Sequence, residues 1–229
     1  MVLVLAVIGL GACVSQPGVS NTALPEDWPT RWLKGIPCRP PCWEGITPGQ
    51  TTAEEAVEIL RRSPIIATVE ITIPRLTPER GVVTWNWAST GRRGGQAIFH
   101  AQTSSNFIYT VEPYLPVSFR LGDVIQAYGK PSHVIARSYY GPDIGSGVFY
   151  DLSILYRSQG FVIFDDGGRT KPILSADTRL EGPVFFAPND EGVQAVFPWV
   201  IHFPKWVVSW QGMKDFDFYC RDEAGKPCP

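Results

Sequence analysis

Cysteines are the residues of this sequence best suited to covalent or metal chemistry, and there are five of them. Four of these, Cys38, Cys42, Cys220 and Cys228, form two close pairs near the two ends of the chain. An even number of cysteines in an exported protein indicates disulfides, and four cysteines allow three pairings. We favour the two local pairs, and two long-range bridges between the start of the domain and its tail are the alternative. The Cys-x3-Cys and Cys-x7-Cys spacings are loose for a structural zinc site, so disulfides are favoured over zinc.

The fifth cysteine, Cys13, directly follows an apolar run at residues 2–10. The run is too short to span a bilayer but has the length of the hydrophobic region of a signal peptide. Leu10-Gly11-Ala12-Cys13 resembles the bacterial lipobox, which implies a signal peptide at residues 1–12, cleavage before Cys13 and acyl chains on that cysteine. We therefore expect the protein to be anchored by this lipid to the extracytoplasmic face of the cell membrane.

The rest of the N-terminal segment leaves two alternatives open. Signal peptides begin with Lys or Arg, yet the first basic residue is Arg31, so we expect the true start to lie upstream. The alternative for the apolar run is a buried N-terminal strand with a core cysteine, which would need burial on both faces. Residues 13–35 are rich in small and polar residues and predict a tether. Trp28 and Trp32 either anchor at the membrane interface or dock onto the domain, and we favour docking.

The other polar residues show no constellation for catalysis. His100, His133 and His202 are far apart in strand-like runs, where a neutral core or surface histidine is the ordinary outcome. The sequence has no Gly-x-Ser-x-Gly elbow, phosphate-binding loop or dinucleotide fingerprint. Residues 165–167 (Asp-Asp-Gly) have carboxylates for calcium, but a hairpin turn needs the same residues and is favoured. We therefore expect no catalytic, cofactor or metal site, and a protein that is not an enzyme.

Composition indicates a strand-rich domain that does not bind nucleic acid. The formal net charge is −2, and acidic and basic residues are interspersed without a basic stripe to neutralise phosphates. The 22 glycines and 21 prolines, together with many short runs of Val, Ile, Tyr, Trp and Phe, predict strands joined by turns.

Two segments predict helices, and strand-like runs follow each of them. Thr52 and Glu55 form a capping-box pattern at the start of a helix over residues 51–62, and residues 121–128 predict a second, shorter helix. The apolar stripes of the two helices superpose at a shift of 68 residues, which places Ala56 on Val124. The predicted strands are 65–73, 82–88, 97–102 and 107–111 after the first helix and 132–140, 148–157 and 160–165 after the second, with residues 92–95 as a hairpin turn.

This repetition predicts an α+β fold made of two tandem units, at residues 36–112 and at residues 113–229 with a C-terminal extension. Each unit is one helix followed by an antiparallel meander. We expect the two meanders to join in one curved, largely antiparallel sheet with the helices on one face.

The motifs around the helices resemble a known family. Residues 46–52 (Ile-Thr-Pro-Gly-Gln-Thr-Thr) look like the opening of small outer-membrane assembly lipoproteins of the BamE (SmpA/OmlA) type. Residues 129–132 (Gly-Lys-Pro-Ser) look like the helix exit that those proteins share. Two such units in tandem resemble β-lactamase inhibitory protein. The resemblance spans residues 46 to about 166 and implies a binding protein without cofactor or catalysis. The Cys38–Cys42 segment and the long tail depart from the pattern, so no partner-contacting residue is carried over.

The alternation in the strand around Trp85 and Trp87 indicates a binding face. These two tryptophans lie on the face opposite Thr84 and Asn86, and burial of the larger aromatic side chains beneath the helix is the favoured arrangement. Thr84 and Asn86 would then lie on a polar open face suited to a protein partner. A carbohydrate or small ligand held by exposed tryptophans is the alternative, and an envelope hydrolase ranks last.

Overall fold

The computed structural model describes residues 26–75, 77–101, 105–140, 147–165, 167–197, 206–221 and 226–228. Cys13, the apolar run before it and the first part of the expected tether lie outside the described residues. Within the described ranges, no helix is long and apolar enough to cross a bilayer.

The first half of the fold begins with helix α1 (Ala53–Arg62), whose start is fixed by the expected capping box. The Glu55 N–H donates to Thr52 Oγ1 at 3.2 Å, and the Thr52 N–H donates to Glu55 Oε2 at 2.9 Å. These bonds satisfy two backbone donors that the first helical turn leaves without partners. An antiparallel meander follows, made of strands β1 (Ile66–Thr72), β2 (Arg80–Trp87), β3 (Arg93–His100) and β4 (Ile108–Pro113).

The second half repeats the order of a helix followed by strands. Helix α2 (Leu121–Tyr128) ends at Gly129, which has a φ of 80°. The remaining elements are β5 (Phe119–Arg120) before α2 and, after it, β6 (His133–Tyr140), β7 (Val148–Tyr156), β8 (Phe161–Phe164), β9 (Arg179–Leu180), β10 (Pro183–Phe186), α3 (Asp190–Val196), β11 (Val207–Ser209) and α4 (Phe216–Tyr219).

Nine of these strands form one continuous sheet in the order β1-β2-β3-β4-β10-β8-β7-β6-β11, and β5 pairs with β9 separately. All neighbouring strands of the large sheet are antiparallel. The two halves meet at the centre, where β10 pairs with β4. The fold is therefore mixed helix and sheet, with a large antiparallel sheet and few helices.

The expected hairpin turn at residues 92–95 is wrong, because β3 already begins at Arg93. Gly94 and Gly95 are buried in the strand against the Trp85 indole. A Cβ on Gly94 would lie 2.5 Å from Trp85 Cδ1, and one on Gly95 would lie 2.4 Å from Trp85 Cζ2. The two glycines leave space for the Trp85 ring. In the sequence alone, a glycine pair that makes room for a ring cannot be distinguished from a glycine pair in a turn.

One face of the sheet, here called the first face, carries α1, α2 and the main hydrophobic core. Trp85 and Trp87 are buried on it, as expected from the alternation. The Trp43 ring stacks on Trp85 at 5.1 Å between centroids, and Trp28 packs against Trp87 at 4.7 Å. Trp32 is also buried, and Trp28 packs on the same core, as expected for two tryptophans that dock onto the domain.

The opposite, second face differs between the two halves of the sheet. In the second half, α3 packs against β10 and also against β4, and it places Val193 on a second apolar cluster. The members of that cluster on the sheet are Ile135, Leu155, Val162, Val184 and Phe186. The expectation that all helices lie on one face therefore needs correction, because five apolar side chains on the second face required a cover.

Candidate functional site

The cysteine pairs at disulfide distance in the structure are the two local ones. Cys38 is bonded to Cys42 and Cys220 to Cys228, with Cα–Cα distances of 5.7 and 5.4 Å. Each disulfide closes a short loop near one end of the described fold. Because all four sulfur atoms are bonded in pairs, none of these cysteines offers a thiolate for chemistry. Among the residues that the structure describes, no group of three or more His, Cys, Asp or Glu side chains is placed to hold a metal ion.

The histidines and the Asp-Asp-Gly segment do not form a site in the described part of the chain. His100 ends β3, His133 begins β6 in the other half of the sheet, and His202 lies outside the described residues. Asp165 Oδ1 accepts a hydrogen bond from the Leu152 N–H at 2.8 Å, which is a structural bond within the β7–β8 region. Asp166 lies outside the described residues, so the turn interpretation of this segment stays a prediction.

Thr84 and Asn86 lie on the second face of β2, where strand alternation places them opposite the buried tryptophans. Both side chains are partly exposed. Strand pairing aligns Thr84 with three further polar residues, which gives a row across four strands: Glu70, Thr84, Gln96 and Glu112. We call the second face of β1 to β4 the open half, although α3 contacts β4 and Thr110 on that strand is buried. The second face of β6, β7, β8 and β10 is the covered half.

Two basic side chains lie at the ends of the open half. At one end, Arg80 Nε donates to the Tyr109 hydroxyl at 2.9 Å, and the His100 ring packs against Tyr109 at 4.5 Å between centroids. Burial raises the pKa of Tyr109, although Arg80 opposes that effect. The phenol therefore stays neutral at physiological pH. At the other end, Arg93 pairs across the strands with Asn86.

Side-chain hydrogen bonds fix the geometry of the centre of the open half. Arg93 Nη2 donates to Gln96 Oε1 at 2.8 Å, and Gln96 Nε2 in turn donates to Glu112 Oε2. Asn86 Nδ2 donates to Thr68 Oγ1 at 3.0 Å. These bonds hold the amide and carboxylate groups in place before any partner arrives, which lowers the entropy lost on binding.

A groove of about 760 Å³ begins where the open half meets the covered half. Its walls are the end of β4 and the segment after it, together with the start of β10. The Tyr114 ring lies in the groove wall beneath Arg93, whose guanidinium carbon is 5.5 Å from the ring centroid. Burial, followed by the charge of Glu112, raises the pKa of Tyr114. The lining residues are Glu112, Pro113, Tyr114, Leu115, Pro116, Val117, Ser118, Phe164, Glu181, Gly182, Pro183 and Val184.

The tryptophans that the structure describes do not offer a platform for stacking sugars. Trp32, Trp43, Trp85 and Trp87 are buried in the core. The other three in the described ranges, Trp28, Trp206 and Trp210, are only partly exposed, and Trp199 lies outside those ranges.

Sequence reasoning named Thr84 and Asn86 but missed their neighbours on β3 and β4. The side chains of Gln96, Glu112 and Tyr109 reach the same face only because of strand register. That register shifts at two irregularities, between Trp85 and Asn86 and between Ile98 and Phe99. One extra residue reverses which side chains lie on a given face, so alternation within a single strand could not identify these residues.

Comparison of the chain with family models, with curated proteins and with solved structures finds no match.

Proposed function

We propose that this protein is a membrane-anchored lipoprotein of the cell envelope that binds a protein partner through the open half of its sheet, without catalysis. The observation that carries the proposal is the contrast between the two halves of the second face. One is apolar and packs against α3, whereas the other is polar, preorganised and, over β1 to β3, uncovered among the described residues. A wide polar surface on a sheet suits a protein surface better than a small ligand.

The charges of the open half suggest what the partner surface carries. Glu70 and Glu112 end the central row, while Arg80 and Arg93 lie on either side of that row. Complementary charges steer association and fix the orientation of the two surfaces. The expected partner surface carries basic groups opposite the two ends of the row and acidic groups opposite Arg80 and Arg93, and the apolar Val82 and Ile98 supply contact area.

We further propose that the two halves are tandem units of the kind seen in the BamE-type lipoproteins and in β-lactamase inhibitory protein. The support is the order of elements, α1 with β1 to β4 and α2 with β6, β7, β8 and β10, and the mirrored order of the strands about the β4–β10 junction. The second unit departs from the first because a segment containing β9 separates β8 from β10. Superposition of the units in an experimental structure tests this proposal, and mismatched strand registers would contradict it.

Photo-cross-linking within the intact cell envelope tests the binding face. A photoreactive amino acid at position 84 or 86 is expected to give one adduct of defined mass, which mass spectrometry identifies. The matched controls are positions 173 and 213, since Ile173 and Met213 are 78% and 45% exposed but lie outside the open half. Equal adducts from all four positions, or none from positions 84 and 86, would reject the open half as the binding surface.

The lipid anchor is tested separately with Cys13→Ser in the natural gene. Metabolic labelling with a fatty acid is expected to mark the natural protein and not the variant, and the variant is expected to leave the membrane fraction. Unchanged labelling of the variant would reject the anchor while leaving the binding face untouched.

A small ligand in the groove is the second candidate, favoured by the groove's volume and by Tyr114 and Phe164 in its wall. Volumes of about 300–1,000 Å³ are typical of ligand pockets. The two candidates differ in their response to Tyr114→Ala. This substitution should abolish small-ligand binding, but it should leave the cross-link from position 84 intact if the partner is a protein that covers the open half.

A further inference from the structure

Strand β1 forms one edge of the nine-stranded sheet, and among the described residues only β2 pairs with it. It is seven residues long, whereas β11 at the other edge has three. Natural edge strands are usually short or protected by Lys, Pro or bulges along their outer side. Residues 66–72 contain no Lys or Pro, and their only charge is Glu70. The pairing of β1 with β2 is irregular between Ile66 and Thr68, so the regular part of this edge is residues 68–72.

The end of this edge also exposes apolar surface. Ile71 is 51% exposed, and Ile73, just beyond the strand, is 56% exposed. Ile71 pairs with Val83 and therefore lies on the first face, beside the core rather than on the polar open half. An unpaired edge with exposed isoleucines is a surface that gains both backbone hydrogen bonds and apolar contact from an added strand.

We propose that β1 pairs antiparallel with β1 of a second copy of this chain, about a two-fold axis at Val69. The strand is self-complementary in this register. Val69 faces Val69 on the first face, while Thr68 faces Glu70 on the second face. Glu70 therefore never opposes Glu70 of the second copy, and like charges do not meet across the strands.

The charges of α1 favour a second copy over an unrelated strand. Helix α1 lies over β1 and leads into it through residues 63–65. Its first half is acidic (Glu54, Glu55), and its last turn is basic (Arg61, Arg62). A two-fold axis places the two α1 helices side by side and antiparallel, so that each acidic half meets the basic end of the other.

The orientation of α1 places the required charges at the edge. Ile59 packs toward Gly45, on the side of α1 that faces the centre of the sheet. Glu54 and Arg61 are rotated by about 150° from Ile59 around the helix, at 100° per residue, and so lie on the outer flank. In the two-fold pair, Glu54 therefore approaches Arg61 of the second copy.

Pairing of this kind would join the open halves of two copies into one surface of eight strands. The inference does not depend on the proposed partner, because the pairing rests on the backbone edge of β1 and on the charges of α1, although Thr68 and Glu70 also belong to the open half. Failure of one therefore leaves the other standing.

Sedimentation of the full chain carrying Cys13→Ser tests the pairing, with a dimer expected at about 50 µM, well above a micromolar dissociation constant. Ile71→Lys adds a charge at the edge and should raise the dissociation constant at least about tenfold. Ile173→Lys is the matched control and should leave it unchanged. A monomeric parent chain, or a dimer that Ile71→Lys does not weaken, would overturn the proposal.

Two cysteine variants test the register without relying on a destabilising change. Thr68→Cys and Glu70→Cys are both at exposed positions. The register predicts a disulfide dimer when the two variants are mixed under oxidising conditions, and none from either variant alone, since only residues 68 and 70 face each other. A charge swap is the third arm: Glu54→Arg should weaken the dimer, and Glu54→Arg combined with Arg61→Glu should restore it. Cross-linking of either cysteine variant alone, or no rescue, would contradict the two-fold arrangement.

Discussion

The open half and the covered half of the second face belong to the same sheet but differ in the side chains at alternate strand positions. The covered half presents Val162, Val184 and Phe186 to α3, and all three are buried. The open half presents Thr84, Gln96 and their polar neighbours. The backbone arrangement is alike in both halves, so the alternate side chains alone determine whether a face needs a cover from its own chain.

The largest expected difference between the halves is in stability. Phe186→Ala removes a fully buried ring from the covered half and should lower the free energy of unfolding by about 3–5 kcal/mol. Thr84→Ala in the open half should change it by less than about 0.5 kcal/mol. Chemical denaturation measures both values, and equal losses would show that the open half is also part of the core.

The second prediction concerns the first face of β2 and β3, where Gly95 packs against Trp85. Gly95→Ala should lower the free energy of unfolding by about 2–4 kcal/mol, because a Cβ would overlap Trp85 and force strain at a φ of +153°. Gly168→Ala is the control, since a Cβ there meets no atom within 4 Å. If both variants unfold at the same denaturant concentration, the close packing of Gly95 on Trp85 is not maintained in solution.

Cys220 and Cys228 form a disulfide that is buried in the core of the first face. The backbone of Cys220 also forms a parallel β-bridge with Ala136 of β6. Replacing both cysteines by serine opens a short loop and should lower the free energy of unfolding by about 2.5 kcal/mol. Thiol titration of the unfolded, unreduced protein is the companion measurement, and we expect Cys38, Cys42, Cys220 and Cys228 to be oxidised. Free thiols at these four positions would contradict the pairing.

The smallest expected effect is a pH dependence confined to the covered side of the sheet. His133 pairs with Leu155, and its Nδ1 is buried without a hydrogen-bond partner. Burial, assisted by the charge of Arg157, lowers the pKa of His133. The unfolded chain therefore binds the proton more readily, and stability is lost as the pH falls below the ordinary histidine value of about 6.5. Unfolding curves at pH 7 and pH 5 should show a smaller loss in His133→Gln than in the natural protein.

Local signals in the sequence predicted those elements that depend on a few neighbouring residues. The capping box at Thr52 and Glu55 fixed the start of α1, and residues 121–128 match α2 at both ends. Alternation in β2 predicted the burial of Trp85 and Trp87. These features are set by contacts within one turn or one strand.

Features that depend on distant contacts could not be predicted in the same way. Gly94 and Gly95 resembled a turn because nothing in the local sequence indicates the Trp85 ring above them. The sequence did not predict α3. This helix packs on an apolar cluster that includes Phe186 and Val162, and these residues come together only when their strands pair in the sheet. The partners of Thr84 on β3 and β4 were missed because two strand irregularities determine their register.

The most direct test of the binding face is the affinity of the protein captured from position 84, measured with purified components. Thr84→Arg places a large side chain at the centre of the open half and should raise the dissociation constant at least about tenfold, or about 1.4 kcal/mol. Ile173→Arg, at a position 78% exposed outside that face, should leave the dissociation constant unchanged. Equal affinities for the natural protein and Thr84→Arg would contradict a binding function for the open half.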